Sequence, residues 1–277
     1  MWNIFIPFTI NIKFAASTMA TSYVIICIVA LLGSALTLFS GFGLGTLLVP
    51  VFALFFPLPI AITATAIVHL LNNLFKLLLL GKHADKNVLI RFGIPSVIAA
   101  FVGAYLLAEL SDLEPIFTYS LLNATYEIFP IKLIIAILMM LFALFELIPA
   151  LSNLQFDSKY LSLGGTLSGF FGGLSGNQGA LRSAFLMRMN LSKEAFIASG
   201  VAVACMVDLS RLSLYARQFF NPEMQLDFTL LAAASLSAFA GAYWGNKMMK
   251  KVTLQAVQYV VAFMLMVFAV LLGMGIL

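Results

Sequence analysis

The sequence has little charge: 9% of its 277 residues are Asp, Glu, Lys or Arg, and 62% are hydrophobic. Soluble domains carry about 25% charged residues, so this chain has too few to cover a water-facing surface. The same composition excludes intrinsic disorder, which needs low hydrophobicity and high charge. A net charge of +4 is typical of a membrane protein with basic cytoplasmic loops and does not indicate nucleic-acid binding. The composition therefore predicts an integral membrane protein.

Cysteine and histidine are also scarce. The two cysteines, Cys27 and Cys205, lie in apolar runs, which excludes a disulfide scaffold. The two histidines, His69 and His83, form no spacing with cysteines that indicates zinc, haem or an iron–sulfur cluster. The sequence lacks a phosphate-binding Gly-x-x-x-x-Gly-Lys-Ser/Thr loop, and a nucleophile–base pair is hard to build. We therefore expect no metal, no cofactor and no enzymatic activity.

Long apolar runs dominate the chain. They are continuous rather than alternating, which favours membrane-spanning helices of about 20 residues over barrel strands. Two shorter runs, Thr46–Phe56 and Ala180–Met189, each follow a glycine-rich stretch and are predicted to be half-helices. With Leu161–Phe171 and the clear spans, they give ten segments of an all-α, polytopic transmembrane bundle. The clear spans are Val24–Phe39, Ile60–Leu80, Val88–Leu110, Ile131–Leu151, Ala195–Ala216, Phe228–Met248 and Leu254–Ile276.

The chain contains an internal repeat, with residues 1–152 as the first half and 153–277 as the second. Ala100–Tyr105 matches Ala238–Tyr243 at five of six positions, and Gly41–Gly45 falls on Gly173–Asn177. The matching small residues themselves are interpreted as helix-packing positions. Each half holds five segments, and an odd number places the second half in the opposite orientation. The sequence therefore predicts an inverted-topology repeat, which is typical of secondary transporters.

The charges of the loops agree with this inversion. Cytoplasmic loops of membrane proteins carry an excess of Lys and Arg. The loop after the third segment is basic, whereas its counterpart, Gln218–Asp227, contains Glu223 and Asp227 and has no Lys or Arg in its body. The loop after the fourth segment is acidic, and its counterpart is basic. The residues concerned are Lys82, His83, Lys86 and Arg91 after the third segment; Glu109, Asp112, Glu114 and Glu127 after the fourth; and Lys247, Lys250 and Lys251 after the ninth.

The glycine-rich stretch Gly41–Gly45, followed by a short apolar run with Val49-Pro50, resembles the first signature of the sulfite exporter TauE/SafE family. Pro59–Thr65 is similar to the start of that family's next helix. The second half repeats the pattern at Gly169–Gly179 and Lys193–Gly200. The resemblance implies transport of anionic sulfur compounds such as sulfite, thiosulfate, sulfonates and sulfoacetate.

The starts of the two half-helices are the first candidate substrate site. A helix N-terminus is electropositive, and glycine lets the backbone approach an anion closely. Neutral side-chain donors beside them would suit a transporter, which must release what it binds. The alternative is that these small residues only pack helices together. The candidate residues are Gly43, Gly45, Thr46, Ser175, Asn177, Gln178 and Gly179.

Four polar residues share one face of the third segment: His69, Asn72, Asn73 and Lys76 at positions i, i+3, i+4 and i+7. Polar groups within a span should face protein or water, so His69, Asn72 and Asn73 are candidate wall residues of a translocation path. The alternative is that they make interhelical hydrogen bonds while Lys76 extends to the cytoplasmic surface.

Three charged residues complete the candidate set. Asp208 and Arg211 are spaced i, i+3 on the eighth segment, where a charge pair is expected because either charge alone is costly in lipid. Arg211 is a candidate anion-binding group and Asp208 a candidate proton-coupling group; the alternative is a structural ion pair. Arg182 lies three residues into the second half-helix, where it would either clamp an oxyanion or extend to the interface.

The sequence thus favours a secondary transporter of small, sulfur-containing anions that works by alternating access in the inner cell membrane. The alternatives are an anion channel and a membrane protein without transport activity. The expected partners are a small anionic substrate and the lipid bilayer, with protons as a candidate coupling ion and no nucleic acid. A homodimer is one of the assemblies left open.

Overall fold

The computed structural model describes residues 8–40, 43–121, 124–152, 154–219, 226–248 and 254–277. Within these ranges the chain forms ten helices of eight residues or more. The helix Lys86–Ser111 contains a π-helical turn at Leu89–Gly93. The helices are α1 (Phe8–Ser40), α2 (Gly45–Ala53), α3 (Leu58–Leu80), α4 (Lys86–Ser111), α5 (Pro130–Leu147), α6 (Leu161–Ser175), α7 (Gly179–Leu186), α8 (Lys193–Phe219), α9 (Phe228–Met248) and α10 (Leu254–Gly273).

Five of these helices, α1, α3, α4, α8 and α9, are long and apolar enough to cross a membrane. Two shorter apolar helices, α5 and α10, accompany them. The surfaces of these helices carry large exposed apolar side chains, such as Leu78 on α3 and Phe263 on α10, as expected of helices that face lipid. The predicted all-α polytopic bundle is confirmed.

The two predicted short segments are short helices, α2 with 9 residues and α7 with 8 residues. Each is preceded by a short non-helical segment, which we call a helix break. The second break begins at Gly176, which ends α6 in a left-handed conformation with φ +79° and donates its N–H to the carbonyl oxygen of Gly172. Glycine is favoured there because the left-handed region costs other residues about 1–2 kcal/mol.

The helix contacts follow a regular scheme. Helix α1 packs against α9 and α4 packs against α6; α3 contacts both α8 and α9, α8 contacts α4, and α5 packs against α10. When the first five helices are exchanged with the last five, α1–α9 becomes α6–α4 and α3–α9 becomes α8–α4, while α3–α8 and α5–α10 are unchanged. The same exchange relates two separate core clusters. One contains residues of α1, α2, α3 and α9, and the other contains residues of the equivalent helices α6, α7, α8 and α4.

The two matching sequence blocks lie at the closest helix crossings. A Cβ on Gly103 of α4 would overlap the carbonyl oxygen of Phe170 in α6. A Cβ on Gly241 of α9 would likewise overlap the carbonyl oxygen of Leu31 in α1. The interpretation of these blocks as packing positions is confirmed, since a side chain at either glycine would force the helix backbones apart.

A small hairpin between α4 and α5 was not predicted from the sequence. Strands β1 (Phe117–Leu121) and β2 (Ala124–Ile128) pair antiparallel, with Tyr119 opposite Tyr126 and their ring centroids 5.3 Å apart. Aromatic and β-branched residues favour strands, and such cross-strand pairs stabilise them. The Tyr119 hydroxyl donates to the carbonyl oxygen of Met274, 2.7 Å away, which attaches the hairpin to the end of α10.

Candidate functional site

The two helix breaks meet inside the bundle. Helix α2 begins at Gly45 and helix α7 begins at Gly179, just after Gly176. The Cβ position of Gly45 lies 3.2 Å from the carbonyl oxygen of Gly176, so the chain segments at the two breaks touch. Both are buried. The glycine-rich stretches of the two halves therefore form one location, which we call the break crossing (Gly43–Gly45 and Gly176–Gly179).

Arg211 of α8 lies against this crossing. The Cβ position of Gly176 is 2.9 Å from Arg211 Nη1, so any larger residue at this point would displace the guanidinium. Arg211 is 0% exposed, and its Nη1 has no hydrogen-bond partner among the residues that the structure describes. A buried guanidinium nitrogen without a partner is costly unless a further acceptor binds there.

Asp208 joins Arg211 to helix α3. Its Oδ1 accepts from Arg211 Nε at 3.0 Å and from Arg211 Nη2 at 2.7 Å, so the expected charge pair is confirmed. Its Oδ2 lies 2.6 Å from Nδ1 of His69. A carboxylate that receives two guanidinium hydrogens is ionised and can only accept, so Nδ1 carries the hydrogen of this contact.

The opposite edge of the His69 ring faces the first break. Nε2 lies 3.2 Å from the Cβ position of Gly43, and Cδ2 lies 3.9 Å from that of Gly45. The amide nitrogen of Asn73, one turn along α3, is 3.2 Å from both ring nitrogens. His69 therefore lies between the ion pair on α8 and the glycines of the break crossing.

Asn72 and Lys76 form a second polar contact on the same helix. The amide of Asn72 donates to Ser34 Oγ at 3.0 Å and to the carbonyl oxygen of Ala238 at 3.3 Å, while its oxygen accepts from Lys76 Nζ at 3.1 Å. Asn72 thus makes interhelical hydrogen bonds. Lys76 is only 4% exposed, so the expectation that it extends to the cytoplasmic surface is wrong. Its ammonium is held inside the bundle by the Asn72 amide.

Arg182 is also inside the protein, at 6% exposure, so it does not extend to the interface. Its Nε lies 3.3 Å from the Cβ position of Gly200 in α8, where glycine makes room for the side chain. It interacts electrostatically with both Asp208 and Lys76. Arg182 also lines a small, mostly apolar cavity between α7 and α8, whose walls include Leu186, Phe196 and Val201.

The polar residues around the second break divide into two kinds. Ser175 donates its hydroxyl to the carbonyl oxygen of Phe171 at 3.0 Å and accepts the N–H of Asn177 at 3.4 Å, so it closes the end of α6 and offers no spare donor. Asn177 Oδ1 and both amide atoms of Gln178 are buried without a hydrogen-bond partner in the described part of the chain. The amide carbon Cδ of Gln178 lies 3.4 Å from the Cβ position of Gly172 in α6, so Gln178 offers both a donor and an acceptor beside the end of that helix.

At the first break, Thr46 is buried in the first turn of α2, and its N–H donates to the carbonyl oxygen of Gly43 at 3.1 Å. This backbone donor is used within the turn. At the second break, Gly179 is buried as the first residue of α7, and the N–H of Arg182 closes the first turn onto the carbonyl oxygen of Gln178 at 3.1 Å.

Three further residues in or beside the crossing, Thr65, Gly176 and Tyr215, were not among the predicted site residues. Thr65 lies one turn before His69, its Cγ2 is 3.7 Å from the Cβ position of Gly45, and its hydroxyl is buried without a partner in the described ranges. Its i−4 spacing from His69 was a usable signal. Tyr215 donates to the carbonyl oxygen of Gly173 at 3.0 Å and fixes the end of α6. For Gly176, no pattern in the sequence distinguishes it from its glycine neighbours.

The described interior of the bundle has an excess of positive charge. Among the side chains that the structure describes as buried, the cations are Lys76, Arg182 and Arg211, and the one carboxylate is Asp208. Three cations against one anion leave an excess of up to two positive charges within the bundle. Unpaired charges in a low-dielectric interior are costly, so this arrangement is suited to receiving an anion.

A comparison with known proteins identifies one family. The sequence model of the family described as "Sulfite exporter TauE/SafE" matches residues 26–272, which is nearly the whole chain. No curated protein and no solved structure matched the chain.

Proposed function

The chain belongs to the sulfite exporter TauE/SafE family, and on that premise we propose that it moves small sulfur-containing oxyanions or organosulfonates by alternating access. The family is one of membrane transporters, and the apolar helices agree with a multi-pass membrane protein. The proposed location is the inner cell membrane.

The observation that carries the proposal is the unpaired guanidinium nitrogen of Arg211 at the break crossing. Arg211 shares Asp208 with His69 and keeps Nη1 unpaired, so the carboxylate does not use all of the donors around it. An anion entering a dry site must replace its lost hydration with fixed donors and a cation. Arg211 Nη1 and the Gln178 amide supply these beside a backbone that glycine leaves open.

The size of the charge excess favours doubly charged substrates. Up to two positive charges remain after Asp208 is counted, and thiosulfate and sulfoacetate are dianions. A planar guanidinium also matches two oxygens of a sulfonate or sulfite group better than an ammonium does. Gln178 and Thr65 add neutral groups that hold oxygens without binding them too tightly for release.

The two halves of the chain, residues 1–152 and 153–277, are proposed to be the inverted repeats that move against one another. The helix pairings and the two matched core clusters support this proposal, because both persist when the halves are exchanged. In such transporters the substrate binds near the membrane midplane at broken helices. Here each half contributes one break to the crossing.

A transport assay distinguishes this proposal from the alternative, an anion channel. In proteoliposomes loaded with unlabelled thiosulfate, a carrier exchanges it for external labelled thiosulfate and transiently concentrates the label. A channel lets both gradients dissipate without this accumulation. We expect saturable counterflow that is inhibited by sulfite and sulfoacetate.

Arg211→Gln tests the site within the same assay. The substitution removes the charge but keeps an amide donor of similar reach, and a hydrogen bond to a charged group is worth about 1.5–3 kcal/mol. We expect the affinity for thiosulfate to fall about 10- to 100-fold. Arg188→Gln is the matched control, because Arg188 is exposed at the end of α7. Unchanged affinity in Arg211→Gln would move the anion site away from the crossing.

A further inference from the structure

The two nitrogens of His69 have different surroundings. Nδ1 contacts the ionised carboxylate of Asp208 at 2.6 Å and therefore keeps its hydrogen. Nε2 faces the break crossing, 3.2 Å from the Cβ position of Gly43. Because Asp208 fixes the hydrogen on Nδ1, a change in the protonation of the ring takes place at Nε2. The nitrogen that titrates is thus the one beside the proposed anion site.

The two protonation states of Nε2 act differently on an anion. The neutral ring presents a lone pair at Nε2, which repels an anion oxygen and accepts a hydrogen from the amide of Asn73, 3.2 Å away. The protonated ring presents an N–H at Nε2, which competes with the Asn73 amide and donates to an anion oxygen. A protonated His69 and a bound anion therefore stabilise each other.

The charges around His69 explain why the proton and the anion should arrive together. Burial opposes a positive charge on the ring, Asp208 favours it, and the cations Arg211 on α8 and Lys76 on α3 oppose it. Among the described side chains, α1, α2 and α9 bring no buried charged group to the ring, and Cys205 and Tyr215 of α8 are buried weak acids. A dianion at the crossing would neutralise the nearby cations and leave the carboxylate free to hold an imidazolium.

We propose that His69 is the proton-binding site that couples proton movement to anion transport. One proton from the aqueous phase adds to Nε2 as the anion binds, and the same proton leaves when the anion is released. The inference rests on the proposed function and adds the identity of the coupling ion and of the residue that carries it. It assigns to Asp208 the role of a positioning residue that sets the ring's tautomer.

Proton uptake on binding is the direct test and needs no variant. Thiosulfate is the probe, because it stays a dianion between about pH 5.5 and 8.5, the range on either side of the ordinary histidine pKa, whereas sulfite itself titrates there. Purified protein in weakly buffered detergent is titrated with thiosulfate and the pH change is followed. We expect uptake of about one proton per anion at the alkaline end, and an affinity that weakens about tenfold per pH unit there.

Two histidine variants separate coupling from folding. His69→Gln keeps an amide donor and acceptor but has no proton to exchange, so the thiosulfate binding that remains should be weaker, with no proton uptake and a flat pH profile. His83→Gln is the matched control, because His83 is exposed and is the only other histidine in the sequence. It should behave as the unmodified protein does.

The outcomes distinguish the two proposals. If the unmodified protein binds and exchanges thiosulfate without proton uptake, the role of His69 is overturned and the anion transporter stands. If it neither binds nor exchanges thiosulfate or sulfoacetate, the proposed function fails and the coupling role fails with it. Undiminished proton uptake in His69→Gln would assign the proton to another group.

Discussion

Gly45 and Gly176 belong to different halves of the chain, and the Cβ position of the first lies 3.2 Å from the carbonyl oxygen of the second. A side chain at Gly45 would lie tightly against this oxygen, and the φ of +79° at Gly176 favours glycine. The contact brings the starts of two short helices together beside Arg211. The geometry of the candidate site therefore depends on two glycines whose roles differ.

We expect Gly45→Ala to impair transport more than folding. The added methyl group would lie tightly against the Gly176 carbonyl, which must move by a few tenths of an ångström, so the crossing opens while the core around it persists. Gly273→Ala in α10 is the control, because its Cβ position is an ordinary 3.4 Å from Ala136 Cβ. Counterflow and apparent Tm, measured on both variants, check this. An equal loss of Tm and activity in Gly45→Ala would indicate a packing role alone.

Gly176→Ala should instead lower stability. A left-handed conformation costs a non-glycine residue about 1–2 kcal/mol, and the methyl group would contact Arg211 Nη1, 2.9 Å from its position. We expect a clear decrease in the apparent Tm of the detergent-solubilised protein. A variant as stable as the unmodified chain would show that the turn accommodates a side chain by relaxing its backbone.

Much of this arrangement could be predicted from the sequence, because it depends on residues that lie close together in the chain. The glycine-rich stretches mark both breaks, and the i, i+3 spacing of Asp208 and Arg211 gives their ion pair. The contact between His69 and Asp208 could not be predicted, since it depends on how α3 crosses α8. For Lys76, the position near the end of a span suggested an exposed side chain, but Asn72 keeps the ammonium inside.

The hairpin after α4 shows a different limit. Its ten strand residues are too few and too mixed in polarity to stand out beside long apolar runs, and the acidic residues around them indicated only an external loop. Its attachment to Met274 through Tyr119 is a tertiary contact that no local pattern encodes.

Substitutions at the two closest helix crossings should destabilise the fold to a similar extent. In Gly103→Ala the methyl group would overlap the carbonyl oxygen of Phe170, and in Gly241→Ala that of Leu31. Overpacking of this kind costs about 1–3 kcal/mol. We expect lower apparent Tm in both variants, with the thiosulfate affinity of the folded fraction unchanged. A change in affinity without a change in Tm would contradict a pure packing role.

The contact between Tyr23 and Asp227 should give a pH-dependent contribution to stability. Partial burial opposes ionisation of Asp227, but the Tyr23 hydroxyl at 2.6 Å and the N–H of Leu230 at 3.0 Å donate to its carboxylate and hold its pKa below the ordinary value. A carboxyl group whose pKa is lower in the folded state stabilises the fold above its unfolded pKa of about 3.9, and this contribution is lost as the pH falls through the folded pKa.

Tyr23→Phe tests this contribution. We expect a loss of about 1 kcal/mol at neutral pH, because hydrogen bonds to charged groups are worth more than neutral ones but this pair is only partly buried. The difference from the unmodified protein should shrink below about pH 4 as Asp227 becomes protonated. Tyr259→Phe, at an exposed position on α10, is the control. A difference that stays constant across this pH range would show that the hydroxyl acts independently of the carboxylate.

The inverted repeat predicts on which side of the membrane each loop lies, and this prediction does not depend on the location of the anion site. Lys82 follows α3, and Glu223, which lies outside the described residues, is in the corresponding loop after α8. By the positive-inside rule the first loop is cytoplasmic and the second is external.

A single cysteine is introduced at each position in a chain whose Cys27 and Cys205 are replaced by alanine, and intact cells are treated with a membrane-impermeant maleimide. We expect Glu223→Cys to be labelled directly and Lys82→Cys only after the membrane is opened. Thr118→Cys in the hairpin, flanked by Glu114 and Glu127, is the control for external access. If Lys82→Cys and Glu223→Cys are labelled from the same side, the halves are parallel, and the matched helix pairings then have another origin than inversion.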